Sequence, residues 1–401
     1  MTQGIITIRK GRSKPIVNRH PWVFSGAIAK AENADDGAIV TVIDHKGQFL
    51  GRGYWNSQSQ IQVRIMTWRD ETIDEQWWRE RLQRAITMRY PSVQYHMGNR
   101  IVNAENDYLP GLIVDRYADY LVLQALTLYI DQHKQWLAEV LVELFDQAGM
   151  PIKGVYERSD VDVRGREGLS ETQGVLWGDE PPEIVNFRNH NLFRFVDIRN
   201  GHKTGYYLDQ VDNQMLMAQL TTRPDLDLET ASVLNTFCFS GGFGLMSAVP
   251  VTNVDSSEDA LKLAEHTYES NGWDMRDVSF VQADVFEYLR DAVGRGEQHD
   301  VIVLDPPKFA HNKRQIKRAS RGYKDINLNA FKLVRAGGYL LTFSCSGAVD
   351  RDLFQKIVFG ALADSGRQGQ IVQHLGAGTD HPVALTFPEG EYLKGLLVRV
   401  Y

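Results

Sequence analysis

The sequence predicts a multidomain α/β protein with a small β-rich barrel at the N-terminus, an α+β middle domain and a C-terminal doubly wound, mostly parallel sheet. Three observations carry this. Short β-like runs alternate with glycine turns over residues 1–70, mixed strand and helix patterns fill 71–185, and from Val233 apolar strands alternate with helices. The 401 residues suit two or three domains, each able to bury its own core, with boundaries at 1–70, 71–185 and 186–401.

The barrel strands are read at Ile5 to Ile8, Ile39 to Ile43, Phe49 to Tyr54 and Ile61 to Met66, punctuated by Gly11, Gly26, Gly37, Gly47 and Gly53. A helix follows from about Asp74 to Tyr90, with Asp70 or Thr72 as its cap and Pro91 just past its end. Strands are expected at Gly111 to Asp115, Tyr120 to Leu126 and Gly154 to Glu157. A helix from Asp131 to Gln147 stops at Gly149, and Gly178 to Pro182 reads as a linker. In the C-terminal region, Val233 to Phe237 meets the loop Ser240 to Gly244, and Thr252 to Val254 ends at Asp255. Val278 to Gln282 leads to Asp284, Val301 to Leu304 to Asp305, and Tyr339 to Phe343 to Ser344-Cys345-Ser346. Ligands of such sheets bind beyond the carboxyl ends of the strands, where these polar residues lie.

Composition narrows the function. With 44 Lys+Arg against 51 Asp+Glu the net charge is −7, which alone argues against a polyanionic partner. The charge is unevenly spread. Residues 1–70 carry +5 and residues 306–335 carry +8, leaving −20 for the rest. Two basic islands on an acidic body suit a protein that grips a polyanion at defined places. No apolar run reaches the ~20 residues of a membrane span, and the first residues do not read as a secretory signal. Two cysteines, Cys238 and Cys345, exclude a disulfide framework and point to a cytoplasmic protein. The eleven histidines show no metal-ligand spacing, so no metal is expected.

The strand-end residues suggest chemistry. The Ser240 to Gly244 loop lets backbone approach a ligand but is not the GxGxxG of dinucleotide enzymes. Asp255 is placed either for a ribose diol or to cap the next helix. Asp284 is placed for an adenine amino group, with Val285 against the ring, or is a surface turn. In Asp305-Pro306-Pro307-Lys308-Phe309 two prolines stiffen the strand exit. Asp305 is thereby set to bond a planar base, with Phe309 to stack on it and Lys308 to reach a phosphate. Cys345 beside an electropositive segment reads as a thiolate nucleophile, the alternative being a structural cysteine. Cys238, inside an apolar stretch, reads as inert.

Many segments in order resemble the bacterial 23S rRNA cytosine-5 methyltransferases that carry an N-terminal PUA domain. They are His20-Pro21-Trp22-Val23-Phe24-Ser25-Gly26, Glu157-Arg158-Ser159-Asp160, Gly201 to Gln210, Asn235 to Gly244, Asp305 to Phe309, Arg321 to Asn327, Ser344-Cys345-Ser346 and Phe387-Pro388-Glu389-Gly390. Departures are Phe239-Ser240 where the family usually has Tyr-Thr, Val211 where an arginine is common, and Phe343 in place of a frequent second cysteine.

The resemblance implies a PUA-like RNA-binding domain, a Rossmann-like methyltransferase domain and S-adenosylmethionine (SAM) as cofactor. It places Gln210, Asn235, Phe237, Gly241, Asp255, Ser256, Asp284, Val285 and Asp305 at the cofactor, and Cys345 and Asp305 as catalytic. Arg12, Lys14, Lys308, Phe309 and Tyr323 would meet the RNA, which is expected to be 23S rRNA. A homodimer stays open. Carbon 5 of cytosine is too weak a nucleophile to take a sulfonium methyl unaided, whereas addition of a thiolate at C6 makes it an enamine carbon. The competing readings are an RNA guanine or amino-group N-methyltransferase, which needs no thiol, and a non-catalytic rRNA-binding assembly factor.

Overall fold

Apolar residues at every second position, broken by glycine at the bends, build the first sheet. The computed structural model describes residues 4–90 and 97–401. The chain begins with β1 (Gly4–Ile8), α1 (Lys14–Val17), β2 (Trp22–Phe24), β3 (Ile28–Glu32), β4 (Ile39–Ile43), β5 (Phe49–Trp55) and β6 (Ile61–Thr67). These strands form one six-stranded sheet in the order β2-β6-β5-β4-β1-β3, with Ile6, Ile8, Val40, Val42, Val63 and Ile65 in its core. Strands β2 and β3 add to the four expected. Ala29, Lys30 and Ala31 of β3 are all exposed, so the run shows no apolar alternation.

The middle segment holds α2 (Glu75–Met88), β7 (Gly98–Asn103), β8 (Leu112–Tyr117), β9 (Tyr120–Ala125), α3 (Leu128–Gln147), β10 (Gly154–Ser159) and β11 (Thr172–Gly178). Its five-stranded sheet runs β11-β10-β9-β8-β7. Trp78 and Leu82 of α2 and Leu137, Leu141 and Phe145 of α3 lie in the same core as its strands. Asp74, not Asp70 or Thr72, caps α2, its carboxylate accepting the Trp77 amide at 3.0 Å. Pro91, expected beyond that helix, lies outside the described residues. Helix α3 starts before Asp131 because Tyr129 and Ile130 turn into the core as its first turn.

A hairpin of β12 (Val185–Asn189) and β13 (Leu192–Val196) follows where no strand was expected. Its two turn residues, His190 and Asn191, both adopt left-handed backbone, with φ 51° and 65°. That two-residue turn matches strand twist, but its usual marker is Asn-Gly.

The remaining elements are α4 (Val211–Gln214), α5 (Leu216–Thr221), β14 (Val233–Thr236), β15 (Val251–Asp255), α6 (Glu258–Ser270), β16 (Val278–Gln282), α7 (Val285–Arg295) and β17 (His299–Leu304). Then come α8 (Ile316–Leu333), β18 (Val334–Ser344), α9 (Arg351–Ser365), β19 (Gly369–Gly376) and β20 (Lys394–Val400). The seven-stranded sheet runs β16-β15-β14-β17-β18-β20-β19. Its first five strands pair in parallel, and β20 runs antiparallel to both neighbours. Central β14 and β17 are buried along their whole length, as parallel strands covered on both faces must be. This is the expected doubly wound sheet, and its strand order reverses between β14 and β17.

The compact units are drawn differently from the three expected domains. One runs through Leu208 and takes back Asp380–Gly390; the other is Asp209–Thr379 with Glu391–Tyr401. No division falls at 70/71, because the β5 and β6 side chains share the middle segment's core. The Tyr54 hydroxyl lies 3.0 and 2.9 Å from the Pro110 carbonyl and the Thr127 hydroxyl. Buried Arg64 donates to Glu105 and Glu167, each at 2.8 Å. Nor does one fall at 185/186, because Phe187 of the hairpin occupies the space a Cβ on Gly98 would need. Residues 380–390 join the first unit through the Asp380 and Pro382 carbonyls, which accept from Arg89 at 2.9 Å and Asn103 at 3.1 Å.

Candidate active site

At the carboxyl end of β14 the chain turns sharply. Phe237 and Phe239 adopt φ of 52° and 48°, and Gly241 φ of 76°. Left-handed backbone at two bulky residues is unfavourable and is held only where surroundings impose it, often at ligand sites. Gly241 has a second constraint, since a Cβ there would lie 2.7 Å from the Tyr268 ring. Tyr268 of α6 donates its hydroxyl to the Gly241 carbonyl at 3.3 Å. Asp255, ending β15, accepts the Phe239 amide at 2.9 Å and the Ser257 amide at 3.0 Å, which ties both strand-end loops together. Ser257, not Asp255, caps α6. The Ser240 hydroxyl is buried without a partner among the described residues, the condition of a group that a bound ligand satisfies.

Other expected cofactor residues are placed differently. Asn235 is buried, its amide donating to Asn253 at 2.8 Å, so it braces the sheet beneath the loop. Asp284 caps α7, one carboxylate oxygen accepting the Phe286 and Glu287 amides at 2.8 and 3.1 Å, yet it remains exposed. Val285, expected against the adenine ring, instead lies in the core, where it begins the buried stripe Val285, Leu289 and Ala292 of α7. Ser256 is exposed beside Asp255.

Beyond β17 and β18 the second cluster assembles. Asp305 accepts from Gln210 Nε2 at 2.9 Å, and Gln210 in turn accepts from Asn213 at 2.7 Å. That chain of amides orients the carboxylate at the strand exit. Cys345 is half-buried, its Sγ 3.9 Å from the Pro306 carbonyl, so the thiol lies beside the stretch that Asp305 opens. Ser344 and Ser346 on either side of it are fully buried and both bond the Tyr323 hydroxyl at 2.9 Å. Tyr323, expected on the RNA, is therefore a structural brace with no exposed surface. Phe309 packs against it with the rings tilted by 41° and their centroids 4.6 Å apart, and is itself half-buried.

Sequence reasoning missed Lys394. It opens β20 opposite Ser344 in the register, is buried, and donates to the Ser346 carbonyl at 2.8 Å. Its ammonium is thus fastened to the residue following Cys345. Burial pushes its pKa down to about 8, opposed by the nearby Cys345 thiolate and by Glu391. A lysine heading the otherwise apolar strand Gly395 to Val398 was the one available signal. Cys238, in contrast, is buried, and burial followed by the charge of Asp255 pushes its thiol well up, as suits an inert cysteine. Lys394→Met is expected to slow iodoacetamide alkylation of Cys345 roughly tenfold at neutral pH, because the ammonium that favours the thiolate is gone. In the native chain this advantage fades as pH rises through about 8 and the ammonium discharges. Mass-spectrometric labelling with Cys238 as unreactive reference measures it, and equal rates in both proteins would remove Lys394 from the account.

The second basic island flanks this cluster. Lys308, Lys313, Arg314, Lys317, Arg318 and Arg321 are exposed, and none pairs with a carboxylate among the described residues. Two others in the stretch are neutralised, Lys324 by Asp364 at 2.7 Å and Arg335 by Asp300 at 2.7 Å. In the first unit Arg12 and Lys14 are likewise exposed.

Residues 6–68 match the family model of a PUA-like domain. The ribosomal RNA large subunit methyltransferase I of Tolumonas auensis is 44% identical over 403 residues, covering 98% of each chain. That of Aeromonas hydrophila is 45% identical over 403 residues with the same coverage. Among solved structures, a methyltransferase in complex with SAH superposes with a TM-score of 0.83 at 19% identity, covering 98% of this chain and 99% of that one. A Streptococcus mutans protein described as a SAM-dependent methyltransferase gives 0.80 at 19% identity with the same coverage. At such identity these two show the fold. A PUA-like domain in one chain with a doubly wound sheet of this order is a methyltransferase fold. At 44–45% identity over nearly the whole length, the chain belongs to the ribosomal RNA large subunit methyltransferase I family.

Proposed function

We propose that this enzyme methylates carbon 5 of a cytosine in 23S rRNA through a transient bond from Cys345 to C6. The observation that carries the proposal is a half-buried thiol set between the Pro306 carbonyl and the residue to which the Lys394 ammonium is fastened. An N-methyltransferase has no use for that arrangement.

Asp255, Asp284, Ser240 and the backbone around Gly241 would hold SAM, with Asp305 and Gln210 at its reactive end. The buried, unpartnered Ser240 hydroxyl and the tight glycine turn fit such a ligand. Bound there, SAM supplies an electrophilic sulfonium methyl. The chain's own residues do the rest. The Cys345 thiolate adds to C6, the C5=C6 electron pair moves onto C5, and a proton held between the Asp305 carboxyl and N3 neutralises the negative charge that develops in the ring, while the same carboxyl accepts from the N4 amino group. Once C5 carries the methyl, its proton leaves to a base, the C6–S bond breaks, and the thiolate is regenerated. The Lys394 ammonium favours the thiolate at both ends of this cycle. The target base must be unstacked to reach the thiol, which single-stranded or loosened RNA makes cheap.

RNA containing 5-fluorocytosine tests the route, because fluorine at C5 cannot leave as a proton. It should trap a stable protein–RNA adduct at Cys345; methylation of ordinary RNA without any trapped adduct would instead support an N-methyl product.

The exposed cations of residues 308–321 would draw the phosphate backbone to the site, with Arg12 and Lys14 as a second grip. Charge reversal in Lys317→Glu with Arg318→Glu should weaken RNA binding by more than about tenfold and flatten its salt dependence. SAM affinity by calorimetry should be untouched, and filter binding across a salt series reads the effect.

A further inference from the structure

The first unit holds a cleft that neither the catalytic chemistry nor the basic islands account for. Its volume is about 560 Å³, within the ~300–1,000 Å³ that holds a small ligand and far too small for a nucleic-acid duplex. Four arginines from three parts of the chain converge on it: Arg19 after α1, Arg69 after β6, and Arg81 and Arg84 on one face of α2. Three of them lie over aromatic rings. Arg19 is 6.0 Å from the Trp68 centroid, Arg81 5.0 Å from Trp77 and Arg84 5.3 Å from Tyr108.

The cleft is built rather than incidental. The Trp68 ring is pinned by its Nε1, which donates to the Ile16 carbonyl at 2.8 Å. Arg19 sits in left-handed backbone with φ 66°, a cost for a long side chain that must be held by its surroundings. Trp77 is fixed through Nε1 to Glu71 at 3.1 Å, and Glu71 also accepts from Thr67 at 2.6 Å.

The charges do not balance. Glu71 stands 3.8 Å from Arg81 and Glu80 lines the same cleft, so four guanidiniums face two carboxylates. Burial lowers the Arg81 pKa, and the charges of Arg84 and Arg69 lower it further. Like charges gathered in a concave, part-buried place repel one another until an anion joins them. Guanidinium groups held beside aromatic rings also offer surfaces on which unpaired bases stack.

We propose that this cleft binds a single-stranded segment of the RNA substrate, with phosphates on Arg69 and Arg84 and an unstacked base against the Arg19–Trp68 pair. The inference rests on the RNA-substrate reading above and adds to it a second, distinct RNA contact in the first unit, assembled from barrel and middle-segment residues together.

The test uses the full-length chain and a fluorescein-labelled, mixed-sequence single-stranded oligoribonucleotide, with anisotropy recorded across a salt series. Arg69→Ala with Arg84→Ala should weaken binding roughly tenfold or more. The slope of log K against log salt should become shallower by about 1.4, or ~0.7 for each lost single-strand phosphate contact. Arg69→Lys with Arg84→Lys should recover the slope, since ammonium groups still pair with phosphates. Trp68→Phe should leave the slope alone while lowering affinity up to about tenfold through the smaller stacking face. If the native chain binds the RNA and the double alanine variant binds it with the same affinity and slope, the cleft is not an RNA site. If the native chain binds no RNA at all, the RNA-substrate reading fails first and takes this inference with it.

Discussion

Cys345→Ala is expected to abolish methyl transfer, lowering turnover by more than about a thousandfold, because no other group in the cluster can activate C5. The thiol is half-buried at the end of β18, between serines that are both tied to Tyr323. Alanine therefore removes the sulfur without disturbing the backbone that presents it. SAM binding, measured by calorimetry, should persist, since the β14 and β15 loops lie elsewhere on the sheet. The decisive measurement is 5-methylcytosine in 23S rRNA incubated with each protein and read by mass spectrometry. Retained turnover in the alanine variant would exclude covalent catalysis and leave attack through nitrogen as the surviving chemistry. Cys238→Ala is the matched control; its buried thiol should contribute nothing to rate.

Asp305→Asn should cost about 10²–10³ in kcat, the usual penalty for removing one group that meets developing charge. Asparagine keeps the size of the side chain and leaves an oxygen to accept from Gln210, whose Nε2 now donates at 2.9 Å. What changes is the other end. An amide NH2 would face the exocyclic amino group of cytosine, donor against donor, and the carboxyl that shares a proton with N3 is lost. Single-turnover kinetics with saturating RNA separate this from weakened binding. A loss smaller than about threefold would mean that Asp305 takes no part in recognising the base.

Much of the architecture was legible because each parallel strand is a short apolar run that stops at a polar residue. Asp255, Asp305 and Cys345 were all found that way, and all stand at strand ends. What adjacency to a motif cannot supply is direction. Tyr323 lies among motif residues, but Ala319, Tyr323, Ile326 and Ala330 mark one stripe of α8, and that stripe is buried. The spacing was there to be read. Val285 is buried for the same reason, since it begins the apolar stripe of α7 with Leu289 and Ala292. Lys394 was hidden because its meaning depends on β20 lying antiparallel to β18, a pairing between distant segments. The arginine cleft was hidden likewise: its residues come from a turn, a strand end and a helix, and no local pattern joins them. The hairpin at 185–196 escaped because His190-Asn191 is an uncommon pair for its turn.

The return of residues 380–390 to the first unit bears on how the protein is made. Buried Arg89 donates to a carbonyl 291 positions downstream. Chains leave the ribosome N-terminus first, and domains ordinarily fold as they emerge. Here the first unit lacks a piece of itself until residues 380–390 have been made, after Asp209–Thr379 of the second unit. Its Arg89 and Asn103 wait for their carbonyl partners through the synthesis of almost the whole second sheet. The first unit is thus completed only after most of the second has been made, and no single cut in the chain yields it whole.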